Sequence, residues 1–182
     1  ITITGPCLCL LKGENGSGKT TLLEILLGIH NTDGAITFYG ISPNTIYYFF
    51  QTATLFKGTI RDNLLLGSYK RDNEIYDVLK SVGIYEKIFH LPSSLDTVVS
   101  DDSFSRGEVK RLLLARALLQ NFDVLLIDEI ENSIDLNSKK KILSLLKEVS
   151  KKKIVILVSH DIEADAYADR VFQIRSQNIV EI

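Results

Sequence analysis

Gly13-Glu14-Asn15-Gly16-Ser17-Gly18-Lys19-Thr20 has the form G-x-x-x-x-G-K-[ST], between an apolar run at 7–11 and a helical run at 20–29. The glycines let the backbone curl so that successive N–H groups face the β- and γ-phosphates of a nucleotide. Lys19 adds a mobile positive charge, Thr20 offers a hydroxyl to Mg²⁺, and the helix N-terminus supplies its dipole. The bland alternative is a glycine-rich strand-to-helix turn that binds nothing. The strand–loop–helix context favours the nucleotide.

Outward from this loop, apolar segments alternate in type, which predicts an α/β layout. Strands are expected over 7–11, 35–39, 46–50, 124–127, 154–158, 171–174 and, briefly, 179–182. The continuous apolar runs at 124–127 and 154–158 suit central parallel strands buried on both faces. Helices are expected over 20–29, 60–66, 73–82, 85–89, 107–119, 138–150 and 162–168, with a turn at 31–34. The stretch from about 59 to 104 shows three short amphipathic helices and no strand, as a helical lobe inserted into an α/β core would.

Bulk composition narrows the function classes. A chain of 182 residues is one domain, or a domain with a small lobe. Its net charge of −2 gives no electrostatic basis for nucleic-acid binding. The lysine triplets at 139–141 and 151–153 flank helices and read as solvated faces. Cys7 and Cys9 alternate on one strand, so they read as small core residues in a reducing compartment. No run is long and apolar enough to span a bilayer, and no signal peptide is visible. A chain that begins at Ile1 and lacks methionine reads as part of a longer product.

Three further strand ends contribute to a candidate site. Val124-Leu125-Leu126-Ile127 runs into Asp128-Glu129, and ligands in open α/β sheets sit at the carboxyl ends of strands. Asp128 is placed to hold Mg²⁺ through its water shell. Glu129 is placed to orient or deprotonate an attacking water, since phosphoryl transfer needs positioning and charge above all. Val158-Ser159-His160-Asp161 ends the next strand in the same way, which brings His160 beside the expected γ-phosphate site. Gln51 closes another strand, within reach of Mg²⁺ or the water, or simply as a polar terminus. Ser105-Arg106-Gly107-Glu108 opens a strongly helical stretch. Ser105 with Glu108 forms a capping box, and the same helix start would also serve as an anion site. Local sequence accommodates both readings.

Taken in this order, the motifs resemble those of the nucleotide-binding domain of ABC transporters over nearly the whole chain. Gly13–Thr20, with Thr21, is similar to Walker A, Gln51 to the Q-loop glutamine, and 124–128 to Walker B with Glu129 as the catalytic glutamate. His160 resembles the switch histidine. Residues 104–108 fall where the LSGGQ signature belongs, and Asn132-Ser133-Ile134-Asp135 resembles the D-loop. The resemblance implies a P-loop NTPase core with a mainly parallel sheet, an antiparallel β part and an inserted helical subdomain. The core is expected over 1–58 and 105–182, and the helical part over about 59–104. It implies ATP and Mg²⁺, with Thr20, Gln51 and Asp128 toward the metal. Two domains would pair head to tail, so that Ser105, Gly107 and Asp135 act on ATP held by the partner, in a homodimer or heterodimer.

Leu55-Phe56-Lys57-Gly58-Thr59-Ile60-Arg61-Asp62-Asn63 resembles the segment after the Q-loop in exporter-type members. The expected function is therefore ATP hydrolysis that powers export, at the cytoplasmic face of a membrane and with a transmembrane permease domain as partner. A soluble ABC ATPase outside transport, or a weakly active regulatory half of a heterodimer, are the competing readings. Arg106 stands where the signature's first glycine is usual and Glu108 where glutamine is usual. Ile130 replaces the common proline after the glutamate, and Asn132-Ser133 replaces Ser-Ala. Arg106 has a Cβ where glycine permits close approach, and it also adds positive charge near phosphate.

Overall fold

The computed structural model describes residues 1–31, 33, 36–50, 52–99, 103–130, 134–175 and 178–182. Gln51, Asn132 and Ser133 lie outside the described residues, as do Thr32, Gly34 and Ala35 of the expected turn and strand. The chain divides into two compact units, one of Ile1–Gln51, Phe122–Glu131 and Leu146–Ile182, the other of Thr52–Asn121 and Asn132–Leu145.

The first unit is built on a six-stranded sheet in the order β2-β3-β4-β1-β5-β6. Its strands are β1 (Cys7–Gly13), β2 (Ile46–Phe49), β3 (Val124–Asp128), β4 (Ile154–Val158), β5 (Arg170–Arg175) and β6 (Asn178–Glu181). All neighbours are parallel except β5 and β6, which pair antiparallel. The sheet thus has the parallel body and antiparallel part expected of it. Register levels the strand ends, since Leu11 pairs with Val158 and Val158 with Asp128. The loop after β1 therefore starts at the same edge of the sheet where Asp128 and the residues after Val158 emerge.

Burial explains why β1, β3 and β4 are central. Cys7, Cys9 and Leu11 join Leu126, Val158 and Phe172 in one core cluster with Leu23. Leu8 and Leu10 point the other way and are also buried. Each fully buried leucine contributes about 1.5–3 kcal/mol, so a strand buried on both faces is hard to displace. The Cys7 and Cys9 sulfurs lie 3.5 Å apart in this core. Burial, reinforced by Cys7, pushes the Cys9 thiol well up, as suits an inert packing residue.

Leu23 belongs to α1 (Lys19–Leu26), which ends earlier than the apolar run suggests. Gly28 at φ 76° turns the chain, its N–H bonding the Ile25 carbonyl and that of Ile29 bonding Glu24, both at 2.9 Å. This six-to-one closure needs a left-handed residue, and glycine supplies it. The expected strand at 35–39 does not form among the described residues, and Tyr39 is 86 % exposed. A strand exists through its ladder partner, and alternation without one has nothing to pair with. The expected helix at 162–168 is a 3₁₀ turn over Ile162–Tyr167, with Ala164 its buried residue. So little packing does not draw six residues into an α-helix.

The second unit holds α2 (Ile60–Leu65), α3 (Asp72–Ser81), α4 (Tyr85–Phe89) and α5 (Arg106–Leu119). A sixth helix, α6 (Leu136–Ser150), carries the chain from this unit back to the first. The start of α2 accounts for the segment resembling exporters. Thr59 and Asp62 form a capping box, and the buried Asn63 amide accepts from Phe56 N–H at 2.9 Å and donates back to its carbonyl at 2.9 Å. Arg116 of α5 donates to Asn63 Oδ1 at 2.9 Å and to the Asn63 carbonyl at 2.6 Å. A buried amide satisfied from both sides fixes the turn before α2.

Candidate nucleotide-binding site

The loop after β1 is shaped by close approach. A Cβ on Gly13 would lie 2.5 Å from Ser17 Oγ and 3.2 Å from the Ile174 carbonyl oxygen, so only glycine fits the start of the loop. Lys19 opens α1 and is 6 % exposed, its Nζ donating to the carbonyl oxygens of Gly13 and Glu14 at 2.9 Å each. The ammonium is thus held over the loop by the loop's own backbone. Glu14, Asn15, Gly16, Thr20 and Thr21 face solvent, so the outer side of the loop is open to a ligand. Ser17 Oγ is buried and makes no hydrogen bond. An unpaired buried hydroxyl costs about 1–3 kcal/mol, a cost relieved when a phosphate oxygen fills the loop. The residues present therefore fit a nucleotide phosphate.

The end of β3 meets this loop. Asp128 is 2 % exposed, and its Oδ2 accepts from Thr20 Oγ1 at 2.7 Å and from the Tyr48 hydroxyl at 3.2 Å. A hydroxyl and a carboxylate in contact beside a phosphate loop form an oxygen donor set, the kind Mg²⁺ takes together with phosphate oxygens and water. Among the described residues no cluster of three histidine, cysteine or acidic side chains offers a different metal site. Tyr48, on β2, is the site residue that the sequence motifs do not point to. Burial, then the Asp128 carboxylate, push its phenol well up, so it stays a hydrogen donor.

Glu129 takes a left-handed conformation at φ 48°, which costs a non-glycine residue about 1–2 kcal/mol. Its N–H still donates to the Val158 carbonyl at 3.1 Å, so the turn is tied to the end of β4. Strain of this kind concentrates where a side chain must be aimed. His160, just past β4, brings Nε2 within 3.4 Å of Glu129 Oε1. Behind it the Ser159 hydroxyl accepts from Asp161 N–H at 3.0 Å, and Asp161 caps the 3₁₀ turn by accepting from Glu163 N–H at 3.0 Å. The structure thus brings Lys19, Thr20 and Asp128 together and pairs Glu129 with His160.

Ser105, Gly107 and Asp135 belong to the helical unit. Ser105 caps α5 in a reciprocal box with Glu108, as its spacing predicts. Burial works to raise the Glu108 carboxyl, but bonds from Lys87 at 2.7 Å and from Ser105 outweigh it and hold the group below its usual range. Glu108 is therefore a cap and an ion-pair partner. Arg106, at the first helical position, is exposed. Asp135 accepts from Ser138 N–H at 3.0 Å, and bonds from Ser138 hold its carboxyl below the usual range. Gln51 lies outside the described residues.

The profile of the ABC transporter family matches residues 4–132, a stretch that includes both the phosphate loop and the Asp128–Glu129 pair. A putative export ATP-binding/permease protein of Rickettsia bellii is 33% identical over 88% of this chain and 30% of its own length. The beta-(1→2)glucan export ATP-binding/permease protein of Bartonella bacilliformis is 30% identical over 94% of this chain and 31% of its own length. An ABC multidrug transporter of Trichophyton rubrum is 32% identical over 94% of this chain and 14% of its own length. The chain spans about a third or less of the length of these relatives. Among the described residues no helix is long and apolar enough to cross a membrane. With the match covering most of the chain and the site built from the motifs it spans, this chain belongs to the ABC transporter family as an ATP-binding domain.

Proposed function

We propose that this chain is the ATP-hydrolysing part of a membrane exporter. The observation that carries the proposal is the levelled edge of β1, β4 and β3, where the loop of Lys19, the Asp128 carboxylate and the Glu129–His160 pair emerge. Lys19 and the N–H groups of the loop bind the β- and γ-phosphates. Thr20 and Asp128, with Gln51, would hold Mg²⁺, which when bound neutralises charge on the phosphates. Glu129 takes the proton of a water whose oxygen attacks the γ-phosphorus. The bond to the bridging oxygen of the β-phosphate breaks, releasing ADP and inorganic phosphate. His160 holds Glu129 and the γ-phosphate in line.

A second domain completes the unit in this reading. Ser105, Gly107 and Asp135 act on ATP held by a partner domain, and hydrolysis separates the pair. A permease on the membrane receives that motion, with the ATPase at its cytoplasmic face. Export is favoured by two relatives that are named export ATP-binding/permease proteins and by the segment at 55–63. Alkaline carbonate washing of membranes that hold the full-length protein tests the assignment. Retention in the pellet supports a fused permease, and release to the wash points to a separate permease or a soluble ATPase.

Exposed Arg106 favours one further reading, a weakly active half that pairs with a stronger partner. Restoring glycine at this position removes a bulky side chain from the expected contact with the partner's phosphate. Arg106→Gly is then expected to tighten ATP-dependent dimerisation, read by analytical ultracentrifugation. Weaker dimerisation would instead make the arginine a phosphate or partner contact.

A further inference from the structure

Tyr48 sits on β2 next to β3, paired in register with Leu126, two residues before Asp128. Its ring is 8 % exposed and packs against the Phe50 ring with centroids 4.1 Å apart. From there the hydroxyl reaches Asp128 Oδ2, the same oxygen that accepts from Thr20. We infer that Tyr48 is a positioning residue for the divalent-cation site, its phenol holding the Asp128 carboxylate in the orientation that meets the ion and its water shell. The inference rests on the reading of Thr20 and Asp128 as the pair that holds Mg²⁺.

Two donors on one carboxylate oxygen, one from α1 and one from β2, restrain rotation of the group about its last bond. They are not equivalent. Thr20 belongs to the exposed end of the phosphate loop and is itself a metal ligand in this reading, so its hydroxyl must serve nucleotide, ion and Asp128 together. Tyr48 stands on a strand, fixed by the ladder to β3 and by its packing, and has Asp128 as its partner. An aliphatic residue would fill the same place in the core and leave the buried Asp128 one donor short. Groups that orient a metal-holding carboxylate set ion affinity, and their loss weakens metal binding about tenfold or more.

Tyr48→Phe keeps the ring and removes the hydroxyl. In the full-length chain, Mn²⁺ binding in the presence of ATP, followed by electron paramagnetic resonance, is expected to weaken about tenfold. ATP binding in excess EDTA is expected to stay at the wild-type level. Scaling the Mn²⁺ signal to sites counted in EDTA restricts the reading to folded protein. Asp128→Asn is the control. If that control weakens Mn²⁺ and Tyr48→Phe does not, the role of Tyr48 is overturned while the Mg²⁺ reading stands. If neither variant weakens Mn²⁺, the metal assignment of Asp128 fails and takes the inference with it. Equal losses with Mn²⁺ and in EDTA would make Tyr48 a packing residue only.

Discussion

Replacing Glu129 by glutamine is expected to cut ATP turnover roughly a hundred- to a thousandfold, the usual loss when a positioned base is removed. Glutamine has nearly the shape of glutamate, so the left-handed turn at φ 48° and the N–H bond to Val158 are kept. Stability should therefore move by less than about 0.5 kcal/mol. Nucleotide affinity should persist, because the proposed function gives phosphate recognition to Lys19 and the loop. With binding intact and the chemical step slowed, the ATP-bound pair of domains should accumulate. Phosphate release and size-exclusion chromatography in ATP measure the two effects. Undiminished turnover would remove Glu129 from its role.

Lys19→Met should weaken the other half of the site, nucleotide binding. The methionine keeps the apolar stem of a side chain that is 6 % exposed, but removes the charge that bonds the Gly13 and Glu14 carbonyls. In the proposed function the same ammonium bonds a phosphate, and charge-assisted bonds are worth about 1.5–3 kcal/mol, so nucleotide affinity should fall about a hundredfold. Titration with a fluorescent ATP analogue reads the loss, and thermal melting checks that the sheet survives. The two variants separate binding from chemistry, since Glu129→Gln should retain the affinity that Lys19→Met loses. An unchanged affinity in Lys19→Met would place the phosphates elsewhere.

Much of the site is readable along the chain because its chemistry is local. The Gly13–Thr20 loop closes on itself through bonds between Lys19 and residues five and six positions back. The Thr59–Asp62 and Ser105–Glu108 boxes likewise involve positions three apart, and the second forms as its spacing predicts. Misreadings arise where a local pattern is outweighed. Apolar residues continue to Ile29, yet Gly28 turns the chain. The pattern at 35–39 favours a strand, yet none forms among the described residues. His160 and Glu129 each read as a strand end, but their 3.4 Å contact depends on β3 and β4 being neighbours in register.

The identity of the phosphate loop, the acidic strand end and the capped helices was therefore written in adjacent residues, whose bonds form within a few positions whatever surrounds them. The strand order was not, nor the meeting of Tyr48 and Thr20 on one Asp128 oxygen across 80 and 108 residues. Those depend on register, and register is set by the burial of whole sheet faces, because a slip of one residue would turn every core side chain of a strand to the other side.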